Sequence, residues 1–210
     1  MNELLWQKRI RNWAGFLGAI LPFISLLGAV IVNLHTSLGS KFWSELSISE
    51  TYYITPALTG ILTAASLVLM CYDGYTFQDN LVTTLSGLFG IMIVLFPCNC
   101  SIASDRAGFF QIPISISSKI HCTSAVIFFL LLAYNSVFLF TKSNGEVTKK
   151  KKQRNTVYRV CGIGMLCVMA LMVIPVNFFA KTWFVEMFAL FFFGVSWLTK
   201  GGAFPFLNDE

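Results

Sequence analysis

The stretch WAGFLGAILPFISLLGAVIVNL, Trp13 to Leu34, contains no Asp, Glu, Lys or Arg, and its length decides the fold. A hydrocarbon layer of ~30 Å is crossed by about 20 helical residues at ~1.5 Å each. Five further stretches fall in or near that length: Ile54 to Tyr72, Asn80 to Pro97, Ile120 to Phe140, Val160 to Phe178 and Thr182 to Thr199. A chain that is 56% hydrophobic and 12% charged has too little polar surface to cover a water-soluble core of this size. Lipid offers no hydrogen-bond partner, so each crossing is a helix or a strand of a closed barrel. Apolar runs without two-residue alternation exclude the barrel. The sequence therefore predicts an all-α polytopic membrane protein, a single transmembrane domain over residues 1–210 built as a bundle of six helices.

Lys8, Arg9 and Arg11 ahead of Gly15 to Val32 imitate a secretory leader. However, the apolar run exceeds an h-region, and Asn33-Leu34-His35-Thr36 is no small-residue cleavage site, so the segment is expected to stay in the mature chain. Six spans place both termini on one side with the loops after the second and fourth helices. That side holds Lys8, Arg9, Arg11, Lys142, Lys149, Lys150, Lys151, Lys152, Arg154, Arg159 and Lys200, which is 11 of the 15 basic residues. By the positive-inside rule the termini are cytoplasmic, in a multi-pass cell-membrane protein of bacterial inner-membrane type. The formal charge of +5 is then a topological signal and does not point to nucleic acid. The run Lys149 to Lys152 reads as a solvated, topogenic loop with a turn at Asn144-Gly145, or as a contact for anionic lipid headgroups.

Two outward loops have the length to carry a function. His35 to Tyr53 places Phe42, Trp43, Leu46 and Ile48 among polar residues, which suits a segment lying at the membrane interface. Cys98 to Lys119 contains Cys98-Asn99-Cys100, Asp105-Arg106-Ala107-Gly108 and Pro113. In an oxidising compartment Cys122 pairs with Cys98 or Cys100, tying the third span to the fourth; as small apolar residues at helix ends the three remain thiols.

Ionisable groups within spans are expensive and face the bundle interior, pair, or line a wet cavity. His35 closes the first span, His121 opens the fourth, and Glu186 sits one turn into the sixth from the same outward face. Glu50 and Asp105 in the outward loops extend this to a candidate cluster of His and carboxylate groups, and Ser124 lies one turn beyond His121. Three readings are open. His121 donates to a carbonyl or to Glu186 and locks helices together; or the cluster contacts a lipid headgroup or other polar ligand; or His35, His121 and carboxylates hold a metal that activates water. With two histidines in the chain, no metal or cofactor is expected. On the inner side Asp79 suits the N-cap of the third helix. Gly87 and Gly90 with Ser86, and Gly162 with Gly164, thin helix faces for close packing.

Several strings together resemble a family of uncharacterised bacterial six-span membrane proteins. They are Ser47-Ile48-Ser49-Glu50-Thr51-Tyr52-Tyr53, Tyr72-Asp73-Gly74-Tyr75 with Asp79, Phe96-Pro97, Ile120-His121-Cys122-Thr123-Ser124-Ala125, Arg154-Asn155 with Tyr158, and Glu186 with Phe193-Gly194-Val195-Ser196-Trp197-Leu198. The likeness covers about residues 45 to 201. The chain is more distantly similar to the damage-regulated autophagy modulator and Sfk-type proteins and to GPI-anchor lipid-remodelling proteins. The resemblance implies the six-span architecture and little mechanism. Compared with the seven-span ceramidase and adiponectin-receptor hydrolases, the chain has one span fewer and lacks the paired histidines of their last helix. The sequence thus points to an integral membrane protein handling a lipid or amphiphile in an outward pocket. A small-solute or proton-coupled transporter and a metal-dependent membrane hydrolase stand as alternatives, and the expected partners are membrane lipids and, optionally, a second copy of the chain.

Overall fold

A computed structural model describes residues 3–143, 145, 147–176 and 178–209. Among them are seven α-helices: α1 (Glu3–Thr36), α2 (Ser40–Glu45), α3 (Ala57–Met70), α4 (Phe77–Leu95), α5 (Ile114–Tyr134), α6 (Lys149–Ala170) and α7 (Lys181–Gly201). The only described strands are the two-residue β1 (Arg106–Ala107) and β2 (Ile112–Pro113), antiparallel with Arg106 opposite Pro113. Four helices are long and apolar enough to cross a membrane among the described residues: α1, α4, α7, and α5 with the π-helical turn Asn135–Leu139 that continues it. The chain is all-helical and of membrane-protein character.

Consecutive helices pack side by side: α1 on α3, α3 on α4, α4 on α5, α5 on α6, α6 on α7. The broad contact of α7 with α1 closes the ring. Small residues make that seam possible. A Cβ at Gly194 would lie 2.9 Å from the Gly15 carbonyl oxygen and 2.9 Å from the Ala19 Cβ, so the two backbones approach with nothing between them. The thin faces expected from sequence are used likewise, Gly87 against the Ser66 carbonyl of α3 and Gly162 against the Ala133 carbonyl of α5. Trp197, Phe193, Phe140, Tyr158 and Leu132, each nearly inaccessible, fill the centre.

Helix ends depart from the expected spans for local reasons. α6 begins at Lys149, so the lysine run is the first turn of a helix and not a solvated loop: Thr148 caps it, its hydroxyl accepting from Lys151 N–H at 3.0 Å. Asn144, expected at the turn before it, lies outside the described residues. The same helix stops at Ala170, leaving Leu171–Ile174 in turns ahead of Pro175, because proline has no N–H to continue the ladder and its ring clashes with the carbonyl four residues back, that of Leu171. α3 has only 14 residues and starts after Pro56. The cap of α4 is Thr76, and Asp79 serves it from the third helical position, accepting the Tyr75 and Thr76 N–H groups at 2.9 Å each. Asp79 is thus half of a capping box instead of the N-cap itself. The loop after α1 turns its apolar residues Phe42, Leu46 and Ile48 into the core.

Candidate functional site

α4 ends at Leu95 just before Pro97, and a helix that ends inside a bundle leaves carbonyls without partners. Three side chains from outside α4 bond to carbonyls at its end and in the residues that follow it. Ser117 donates to the Pro97 carbonyl at 2.8 Å, Tyr53 to the Cys98 carbonyl at 2.6 Å, and the His121 Nδ1 faces the carbonyls of Phe96 at 2.9 Å and Ile93 at 3.2 Å. Carbonyls only accept, so Nδ1 carries a hydrogen.

This assignment fixes the other side of the ring. His121 Nε2 lies 3.0 Å from the Ser49 hydroxyl, which lies 3.1 Å from Glu186 Oε1, while Glu186 Oε2 accepts the Ile48 N–H at 2.6 Å. Ser49 belongs to a 3₁₀ turn, Ser49–Tyr53, anchored where Trp183 N–H donates to the Leu46 carbonyl and Ala180 N–H to the Ser44 carbonyl. Glu186, Ser49 and His121 therefore form one hydrogen-bonded chain joining α7, the loop between α2 and α3, and α5. The chain has two links, and each needs one hydrogen. Ser49 supplies one; a carboxylate and a neutral imidazole supply none. A second proton must reside in the chain, on Glu186 as a carboxylic acid or on His121 as an imidazolium.

Ser49 and Glu186 head a cavity of about 40 Å³ whose walls are apolar, formed by Leu21, Leu58, Leu62, Ile93, Ala125, Phe128, Phe129 and Leu190. Water requires about 10–15 Å³ on this measure, so the space admits a water or two or the end of an alkyl group. His121 is buried, while Glu186 and Ser49 are half-buried and line the cavity.

The remaining candidates divide. Ser124 is buried on the same side of α5 as His121. Glu50, 3% exposed, sits one residue from Ser49, and its N–H donates to the Ser47 hydroxyl at 2.9 Å. Burial is the main force pushing its carboxyl up to about 7, opposed by the Ser101 and Ser47 N–H groups. His35 ends α1 exposed, and Asp105 lies exposed in the loop ahead of α5; neither joins the cluster. Among the described residues no three His, Cys, Asp or Glu side chains converge in a geometry that holds a metal ion.

Cys98, Cys100 and Cys122 stand as free cysteines, with no bond between Cys122 and either of the others. Turning His121 into the core places Cys122, one residue and about 100° further round the helix, on the exposed side of α5. Cys98 is partly buried in the loop after α4, and that burial raises its thiol above the ordinary range.

Of the lysine run, Lys149 and Lys152 face solvent. Lys150 reaches the Phe206 carbonyl and Lys151 the Phe140 carbonyl at 2.9 Å, so half the run turns toward the bundle. Ser49, the middle of the hydrogen-bonded chain, is not among the residues the sequence singles out for this site; its one signal there is its place beside Glu50 in the string Ser47-Ile48-Ser49-Glu50. No family model, curated protein or solved structure matches this chain.

Proposed function

We propose that the chain crosses the membrane six times, through α1 and α3 to α7 with both termini cytoplasmic, and handles a lipid or other amphiphile from the outward end of the bundle. The observation that carries the reading is the cavity beneath Ser49 and Glu186, whose polar head and apolar walls match the two halves of an amphiphile. Its resting volume takes only the end of a chain, so a whole lipid must lie partly between helices. The closed ring of six helices, α1 and α3 to α7, supports the crossing number, and the concentration of basic residues at one end supports the orientation. In this reading Glu186 and Ser49, which line the cavity, meet the polar part, with His121 supporting Ser49 from behind, and no covalent step is required.

Two measurements test it. Reporter fusions in the segment between α5 and α6 should report cytoplasm, and fusions near Lys41 and Asp105 the outside; the reverse pattern overturns the orientation. Native mass spectrometry of the purified protein should detect a bound lipid that Ala125→Leu, which fills the cavity, removes while the protein stays monodisperse. A parent protein that carries no lipid, or an Ala125→Leu variant that keeps it, overturns the binding reading.

A second reading is favoured by the 3.0 Å contact between the Ser49 hydroxyl and His121 Nε2, the separation expected of a nucleophile and its base. An ester-cleaving role for Ser49 predicts covalent labelling by a fluorophosphonate, abolished in Ser49→Ala.

A further inference from the structure

A cavity of about 470 Å³ lies at the other end of the bundle from Ser49 and Glu186. Six cations line it: Lys8 and Arg11 from α1, Lys142 from the segment after α5, Lys151 and Arg154 from α6, and Lys200 from α7. The sequence scatters these residues over nearly 200 positions, and the closed ring of helices brings them to one wall. Such a concentration repels itself unless anions answer it.

The described carboxylates answer it only in part. Asp79 reaches Lys142 at 3.2 Å, and Asp209 reaches Arg154 at 2.7 Å. Among the described residues Lys8, Arg11, Lys151 and Lys200 have no carboxylate within ion-pair distance. Lys200 instead stands over the Tyr75 and Phe140 rings, 5.1 and 5.2 Å from their centroids, and Arg11 over the Tyr72 ring at 5.4 Å with its Nε unpartnered. Aromatic faces orient a cation without neutralising it.

Asp209 shows which chemistry the cavity accepts. Its carboxylate takes hydrogen bonds from the Thr148 hydroxyl and the Arg154 guanidinium, both at 2.7 Å, and these hold it below the usual carboxylate range. A carboxylate of the C-terminal segment thus occupies one edge of a basin built for more negative charge than it brings.

We infer that this basic cavity binds a phosphate-bearing anion of headgroup size, for which the Asp209 carboxylate is the resident stand-in. A phosphate monoester brings a charge of about −1.5 to −2 and three acceptor oxygens, and the guanidinium forks of Arg11 and Arg154 match that geometry better than ammonium groups alone. The cavity is too small for a folded acidic partner and within the range of small-ligand sites, roughly 300–1,000 Å³. The anion arrives either as the headgroup of a lipid or as a soluble phosphate ester, and the two sources differ only in whether chains follow the phosphate into the bilayer.

The test uses the full chain in a neutral detergent, with dioctanoyl phosphatidic acid, glycerol 3-phosphate and dioctanoyl phosphatidylcholine as probes, and affinity read by thermophoresis. Phosphatidic acid should bind well above phosphatidylcholine and weaken as NaCl rises. Binding of the lipid alone identifies a headgroup reached from the bilayer, whereas equal binding of glycerol 3-phosphate identifies a soluble ester. Lys200→Gln should weaken binding severalfold. Asp209→Asn, which removes the competing carboxylate at an exposed position, should tighten it severalfold, and this opposite sign decides the matter even where Lys200→Gln does not yield folded protein. The proposal falls if neither phosphate probe exceeds phosphatidylcholine, or if Asp209→Asn leaves affinity unchanged or lower.

Discussion

Replacing Glu186 by Gln and by Leu separates the two places where the extra proton of the Glu186–Ser49–His121 chain can sit. With the proton on Glu186, the acid donates to Ser49, Ser49 donates to His121 Nε2, and Oε2 still accepts the Ile48 N–H at 2.6 Å. Gln reproduces this pattern, its amide N–H₂ taking the place of the acid hydrogen, so Glu186→Gln should cost less than about 1 kcal/mol. Leu lets Ser49 keep donating to His121 but orphans the Ile48 N–H, a loss of about 1–3 kcal/mol. At roughly 2–4 °C per kcal/mol for a chain of this size, the Leu variant should melt several degrees below the parent in detergent and the Gln variant within a degree or two of it. If the proton instead sits on His121, Gln strands a buried imidazolium and costs about 3–5 kcal/mol. A Gln variant as destabilised as the Leu variant, or more so, refutes the neutral arrangement.

Other consequences are read on the same purified protein. Glu50 is raised from 4.5 to about 7 by burial, so between those values the folded state holds a proton that the unfolded state has lost, and stability falls as pH rises through the window, by up to ~3 kcal/mol in all; thermal melts from pH 5 to 8 should show the decline, and Glu50→Gln should flatten it. A maleimide should label the exposed Cys122 fully without prior reduction and Cys98 slowly; labelling of Cys122 that requires a reductant would contradict the free thiol. At the seam of α1 and α7, Gly194→Leu must displace the Gly15 carbonyl and Ala19, and should lose about 1–3 kcal/mol, whereas Gly39→Ala, where a Cβ meets nothing within 4 Å, should leave the melting temperature near the parent's.

Helices were legible from sequence wherever length and apolarity were the deciding physics. Trp13 to Leu34 lies inside α1, and Thr182 to Thr199 nearly coincides with α7. The fifth apolar stretch, Val160 to Phe178, differs in its bounds from α6 because lysine ends an apolar run but not a helix, being a good helix former. With Thr148 to cap the first turn, the lysine run simply begins the helix, and Pro175 rather than loss of apolarity ends it. The basic cavity was hidden for a related reason. Charge counted along the chain groups the basic residues at one end of the bundle, but that six of those cations share one cavity depends on α7 returning to α1.

The polar site was half legible, and the missing half has a physical explanation. His121 and Glu186 stand out because an ionisable group in an apolar helix demands a reason, but a serine in a polar loop demands none. What gives Ser49 its place is the geometry at two helix ends. Orphaned carbonyls after α4 claim Nδ1 of His121, and the Ile48 N–H claims one oxygen of Glu186. Nε2 and the second carboxyl oxygen are left facing the same gap. A group filling that gap must donate to one and accept from the other, which a hydroxyl does and an apolar side chain cannot. Ser49→Ala breaks both links at once, whereas Ser49→Thr preserves the hydroxyl. If the chain is the organising element of this end of the bundle, threonine should restore most of the stability that alanine loses. Equal melting temperatures for the two variants would mean that His121 and Glu186 are held independently, each by the backbone group it already touches.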